Sequence, residues 1–253
     1  MARNLKIFII TQFDPIYISS FFEELFYILE IKNLKLNLEI FDMPNFNENK
    51  ISLLKRLIKF YGFFDFIKLL GIYLYEVFFK RKFEKFKKNL KSKNIKLHKI
   101  HSVNNDKFIN YVKEQKPDLV LSVSAPEIFK EKLLNLNNTK FINIHCAPLP
   151  KYQGMMPNFW QKLNNEIYTA ITIHEISREI DKGEILYQKK YDLLQSDSLH
   201  NNLVRAKKIS ALALLEFLFK DIIKTKIFLK DNYFSFPSRK NVKIFKNSRK
   251  NFF

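Results

Sequence analysis

Apolar and polar positions follow two periods along this chain, short runs of period two and longer stretches of period near 3.6. Residues 5–11, LKIFIIT, form an apolar, β-branched run that predicts a strand. Ser19 is expected to cap the helical pattern FFEELFYILE, and LNLEIF (36–41) alternates as a second strand. NIKLHKIHSV (94–103) predicts a third, followed by a helix, NDKFINYVKEQ, that Pro117 ends. DLVLSVSA (118–125) is almost wholly apolar, as a central parallel strand is. Pro126 is expected to open a helix over PEIFKEKLLNL, and KFINIH (140–145) predicts another buried strand. A short helix around 158–163, strands over 169–176 and 183–193, and a helix from near Ser196 complete the series. That last helix shows Leu199, Leu203, Ile209, Ala213 and Phe217 on one face. Strands alternating with helices imply an α/β fold, an open, mainly parallel sheet with helices on both faces.

The stretch 50–92 departs from this rhythm. Its most apolar part, residues 57–79, contains Lys59, Asp65, Lys68 and Glu76, which a membrane-spanning helix does not tolerate cheaply. With Lys55 and Lys80 these charges recur near helical spacing and leave a wide apolar face. No transmembrane segment is expected. Packing against the core or against a partner subunit in a homodimer is the first expectation. Peripheral membrane contact, aided by the basic run 80–88, is the second. No signal peptide is expected either, because residues 5–11 lack an h-region and a cleavage site, so the expected location is cytoplasmic.

Composition narrows the classes. Of 253 residues, 47% are hydrophobic and 27% charged, which excludes general disorder. A single cysteine excludes a disulfide framework and a cysteine-based zinc site, so no metal is expected. The net charge of +19 invites a nucleic-acid reading, but the lysines are dispersed and no aromatic–basic repeat appears. The charge is compatible with anionic small ligands. Only four glycines occur, so each one present is informative.

Ligands of open α/β sheets bind beyond the carboxyl ends of the strands. After the first strand stands QFDPIY, without glycine, which excludes a dinucleotide fingerprint and a P-loop. After the fifth stands NIHCAPLPKYQGMMPNFW (143–160). With its continuation to Gly183 it gathers two of the four glycines, the only Cys and the only Trp, and three prolines. Such crowding marks a loop whose backbone shape is required. Asn143 and His145, one residue apart on a strand, point to the same face, and an amide donor beside an imidazole suits oxyanion stabilisation with proton transfer. Asp181, in the turn Asp-Lys-Gly before a later strand, is a candidate to return to that site and orient the histidine. The alternative is a polar strand end followed by an ordinary turn. Cys146 points to the opposite strand face and is a poor nucleophile candidate. His174 lines the acceptor side or is a half-exposed strand residue. His98 and His101, three apart, are poor joint ligands, and His200 is expected in solvent.

NIHCAPLPKYQGMMPNFW together with TAITIHEISREIDKGEIL resembles the folate-dependent formyltransferase family, whose motif runs Asn-x-His-x-Ser-Leu-Leu-Pro, a glycine, then Asp-x-Gly. The resemblance implies a Rossmann-like formyltransferase fold. It further implies that Asn143 binds the formyl oxygen, that His145 stabilises the intermediate, and that Asp181 holds His145 and acts on the amine. It places the co-substrate N10-formyltetrahydrofolate against the loops Ala125-Pro126-Glu127-Ile128 and Ser177-Arg178-Glu179-Ile180, largely through backbone groups.

Departures shape the expected substrate. Ala147-Pro148-Leu149-Pro150 stands where the family usually has Ser-Leu-Leu-Pro, so a supporting hydroxyl is missing. The glycine-rich loop expected of a glycinamide ribonucleotide transformylase is absent after the first strand. About 70 residues follow Asp181, too few for the domain with which methionyl-tRNA formyltransferases grip tRNA. The expected acceptor is therefore a nucleotide-linked amino sugar. An RNA acceptor, or a degenerate folate- or nucleotide-binding module, is the alternative. Residues 1–225 read as the catalytic domain with a helical insertion at about 50–92, and 226–253 as a short basic, aromatic C-terminal extension.

Overall fold

The computed structural model describes residues 5–43, 49–219 and 231–253. The first apolar run is strand β1 (Lys6–Thr11), and four further runs become β2 (Asn37–Asp42), β3 (Lys96–Lys99), β4 (Leu119–Val123) and β5 (Lys140–His145). β6 (Gln153–Gly154) is two residues long, and β7 (Tyr168–Glu175) and β8 (Ile185–Asp192) follow it. One seven-stranded sheet has the order β3-β2-β1-β4-β5-β7-β8. Its first five strands are parallel, and β7 and β8 add an antiparallel edge. Strand order reverses between β1 and β4, the crevice where such sheets bind ligands.

The strands feed two cores because successive side chains point to opposite faces. Ile7, Ile9, Leu121, Ile142, Ile144, Ile171 and Ile173 lie on one face under α1 (Ile18–Ile31), α4 (Lys82–Ser92) and α8 (Leu199–Phe219). Phe8, Ile10, Phe41, Val120 and Phe141 lie on the other under α5 (Asp106–Gln115). The remaining helices are α2 (Lys50–Tyr61), α3 (Phe63–Leu74), α6 (Glu131–Leu134), α7 (Pro157–Leu163) and α9 (Arg239–Asn247). A π turn, Tyr75–Phe79, follows α3, and β9 (Tyr233–Phe234) pairs with β6.

Several local expectations are corrected. Ser19 does not cap α1; it lies inside the helix and its hydroxyl donates to the Pro15 carbonyl. Asp14 does the capping work, its carboxylate accepting the N–H groups of Ile16, Tyr17 and Ile18. Pro126 does not open a helix. Asn104 and Glu127 tie the segment after β4 to the loop at 102–104 through Val103 N–H, Lys130 N–H and the Ile128 carbonyl, and only α6 forms. The strand expected over 94–103 is confined to β3.

Residues 50–92 form α2, α3, the π turn and α4 rather than one helix. Gly62, at φ +80°, separates α2 from α3. The expectation of core packing holds for α2 and α4, through Phe60, Tyr61, Phe86 and Leu90, whereas α3 fully buries none of its residues and meets the core only through the half-buried Phe66 and Leu69. A Cβ at Gly71 would meet nothing within 4 Å. The boundary expected at residues 225 and 226 lies outside the described residues. Beyond it, Val242, Phe245 and Phe252 pack with Phe60, Tyr61, Phe159 and Leu199 in a third apolar cluster.

Candidate active site

The sheet itself brings the polar groups together. Ile142, Ile144 and Cys146 occupy one face of β5 and its end, so Asn143 and His145 share the other. β7 runs antiparallel beside β5 with Asn143 opposite His174 and His145 opposite Thr172. Four polar side chains of two neighbouring strands therefore face one side at the carboxyl end of β5.

Asp181 reaches this group from the turn before β8. Gly183 permits the approach: a Cβ there would sit 1.7 Å from the Glu175 carbonyl oxygen. Asp181 itself adopts φ +55°, and Ser124, Tyr152 and Met156 around the same cleft are also left-handed, with φ of 54° to 66°. Gly154, at φ +94°, donates its N–H to Asp181 Oδ2 across 2.8 Å.

Distances define the proton arrangement. His145 Nε2 lies 2.8 Å from the Tyr152 carbonyl oxygen, which can only accept, so Nε2 carries the hydrogen. Nδ1 of the neutral ring is then a lone pair, 3.5 Å from Asp181 Oδ2. His174 Nδ1 similarly donates to the Glu175 carbonyl, leaving Nε2 to accept an N–H of Asn143 at 3.1 Å. His174 Nε2 is also 3.5 Å from Asp181 Oδ1.

Burial pushes the His145 pKa down, against the upward pull of Asp181, so the ring is neutral near pH 7. Burial would raise the Asp181 carboxyl, yet the group lies below its usual value, with the Gly154 N–H donating to it directly. An ionised carboxylate and an imidazole lone pair thus face each other with no hydrogen between them. The arrangement calls for an N–H or O–H donor.

A cleft of about 730 Å³ opens over these groups. Asn143, His145 and Asp181 all line it, as do Ala125, Pro126, Glu127, Ile128 and Ile180 of the two loops expected to hold a folate. Ser177 is not among its lining residues, and its hydroxyl donates to the Glu179 carbonyl. The Glu127 carboxylate is engaged by Val103 N–H and the Ser102 hydroxyl, and the Ile128 carbonyl accepts from Asn104 Nδ2. Lys207 of α8 also reaches the lining and donates to Ser124 Oγ across 2.7 Å. Asn158 lines the cleft at 2% exposure, and among the described residues its Nδ2 has no hydrogen-bond partner.

The loop without the motif serine is braced from the next strand. Thr172 Oγ1 donates to the Ala147 carbonyl and accepts the Leu149 N–H, and Gln188 of β8 donates to both Thr172 Oγ1 and the Leu149 carbonyl.

His174 is not a half-exposed strand residue: at 2% exposure it is part of the cluster. Its signal was the alternation Ile171, Thr172, Ile173, His174, the same pattern that marked Asn143 and His145. His200 is not in solvent: it is half-buried, 3.3 Å from the Tyr17 hydroxyl and packed near Phe253. Cys146 is buried 3.8 Å from Ser210 Oγ, away from the cluster. His98 contacts Glu39 and stacks on Phe41. Among the described residues, no group of three His, Cys, Asp or Glu is arranged to hold a metal ion.

Comparison with known proteins bears on both fold and family. A family model described as formyl transferase matches residues 79–218. Methionyl-tRNA formyltransferase of Borreliella burgdorferi is 35% identical over 115 residues, 46% of this chain and 37% of that protein. The bifunctional polymyxin resistance protein ArnA of Wigglesworthia glossinidia brevipalpis is 34% identical over 115 residues, 44% of this chain and 17% of that protein. The matched segment thus spans well under half the length of these relatives. Among solved structures, a sugar N-formyltransferase from Shewanella sp. superposes with a TM-score of 0.56 at 20% identity, covering 92% of this chain and 77% of that one. A phosphoribosylglycinamide formyltransferase from Anaplasma phagocytophilum gives 0.59 at 15% identity, covering 85% and 86%. These two share the fold.

Proposed function

The chain belongs to the formyl transferase family, and from that membership we propose that it transfers a formyl group from N10-formyltetrahydrofolate to a primary amine. The observation that carries the reading is the pairing of an amide donor, Asn143, with the donor-seeking Asp181–His145 gap. A primary amine supplies the N–H that this gap lacks.

The cleft suits the folate by size and lining. Its volume lies within the ordinary range for small-molecule sites, with apolar walls at Ile128, Met155 and Ile180. The bound folate supplies the formyl carbon and a leaving nitrogen. Asn143, with one N–H on His174, keeps the other for the formyl oxygen, and that bond strengthens as the oxygen gains negative charge. The amine nitrogen attacks the formyl carbon. Asp181 and neutral His145 accept the proton the amine loses, and the leaving nitrogen takes up a proton as its bond to the formyl carbon breaks.

The finer proposal is that the acceptor is an amino sugar carried on a nucleotide. The Lys207 ammonium in the lining suits an anionic ligand, and the unpartnered Asn158 amide offers a donor for its oxygens. The test incubates the protein with N10-formyltetrahydrofolate and a panel of nucleotide-linked amino sugars, and seeks a mass gain of one formyl group. Formylation of a sugar nucleotide is the expected result. Product formed only with charged initiator tRNA would move the acceptor to RNA. Folate binding without product from any amine would make the chain a binding module.

A further inference from the structure

We propose that α3 and the π turn after it form a docking surface for an anionic lipid bilayer. Phe63, Ile67, Leu70, Leu74 and Phe78 recur at helical spacing, and all five are exposed. Phe64 and Phe79 beside them are 82% and 79% exposed. No residue of α3 is buried, and the Cβ position of Gly71, in the middle of the helix, meets nothing within 4 Å. Continuous exposed apolar surface of this kind marks an interaction site rather than an ordinary solvated face.

Charge selects the partner. Residues 50–92 carry twelve Lys and Arg against three Asp and Glu, a net +9 in 43 residues. The three acids are already engaged, Asp65 by Lys68 and Lys246, Glu76 by Lys80 and Lys82, and Glu84 by Arg81. Lys55 and Lys59 on α2, and Lys85, Lys87 and Lys88 on α4, are exposed. α2 contacts α3 and α4 contacts the π turn, so the apolar stripe is flanked at each end by a cation-rich helix. An apolar face with a cationic border matches acyl chains under anionic headgroups. Tyr75 adds an amphipathic ring whose face meets Lys80 at 5.3 Å.

A second copy of the chain fits less well. A two-fold contact would set the same patch against itself and bring identical basic borders together, whereas an anionic surface neutralises them. Spanning is excluded for this helix by length: twelve residues rise about 18 Å, against a hydrocarbon core of about 30 Å. The helix would therefore lie in the plane of the interface.

The test is co-sedimentation of the purified protein with phosphatidylcholine vesicles prepared with and without phosphatidylglycerol. Binding should require phosphatidylglycerol and weaken steeply with added salt. The double variant Phe64→Ser, Phe78→Ser should lose about tenfold or more in partition at an unchanged melting temperature, because both rings are already in water. Lys85→Glu with Lys88→Glu should lose binding in the same assay. Failure of the unaltered protein to bind phosphatidylglycerol vesicles at low salt overturns the proposal. So does a concentration-dependent dimer, seen by light scattering, that the double phenylalanine variant abolishes, which would identify a second copy as the occupant.

Discussion

Asn143 and His174 stand directly opposite each other on β5 and β7, and one amide hydrogen of Asn143 is held by His174 Nε2 at 3.1 Å. This bond fixes which way the amide faces and leaves its second N–H for the cleft. His174→Ala should lower kcat about tenfold to a hundredfold with little change in KM for the folate, whereas Asn143→Ala should cost roughly a hundredfold to a thousandfold. Steady-state formyl transfer separates the two. An unchanged kcat in His174→Ala would remove the orienting role.

Asp181→Asn preserves size and an acceptor for the Gly154 N–H while removing the negative charge beside His145. Turnover should fall by about a hundredfold or more, with folate binding retained. Near-normal turnover would show that Asp181 is not needed to take the amine proton.

Stability should respond to pH through His145 and His200, whose pKa values burial lowers from the ordinary 6.5. Both rings are neutral in the folded state, so their contribution is complete above about pH 6.5 and is lost as pH falls toward their folded values. Asp181 adds nothing to this window, because its depressed pKa confines its effect to pH below the ordinary carboxylate range. Thermal melts between about pH 8 and pH 5 should show the decline, and His145→Gln should flatten it. Equal slopes in the two proteins would contradict a buried, neutral His145.

Two glycines make opposite predictions. Gly183→Ala drives a methyl group into the Glu175 carbonyl and should cost about 2–4 kcal/mol or prevent folding, with the Asp181 turn displaced. Gly71→Ala adds a methyl group in open space inside a helix and should stabilise by about 0.5–1 kcal/mol. Urea titrations of both variants check this contrast.

Thr172→Val keeps shape and removes the hydroxyl that braces Ala147, Leu149 and Gln188. The buried polar groups left behind should cost about 1–3 kcal/mol. Activity should fall with the loop geometry rather than with folate affinity, which a kcat-against-KM comparison resolves.

Much of this was legible before folding. Runs such as LVLSV and KFINI can satisfy themselves only as buried strands, and side-chain alternation sends Asn143 and His145 to one face whatever lies beside them. The scarcity of glycine made Gly154 and Gly183 conspicuous, and both serve backbone approaches that a side chain would block. Local features with competing partners were less legible. Ser19 and Asp14 are both reasonable caps, and only the turn at 14–17 decides which one meets the free N–H groups. The amphipathic pattern of α3 stated that one face is apolar, but a period carries no information about what covers it. The pairing of His174 with Asn143, the Tyr152 carbonyl that sets the His145 tautomer, and the Gly154 N–H on Asp181 join residues through strand register and long loops. Sequence thus determined the strands, the faces and the chemical types at the site. Tertiary structure alone decided which polar atoms meet, because hydrogen bonds depend on ångström-scale distances between segments whose spacing along the chain leaves those distances open.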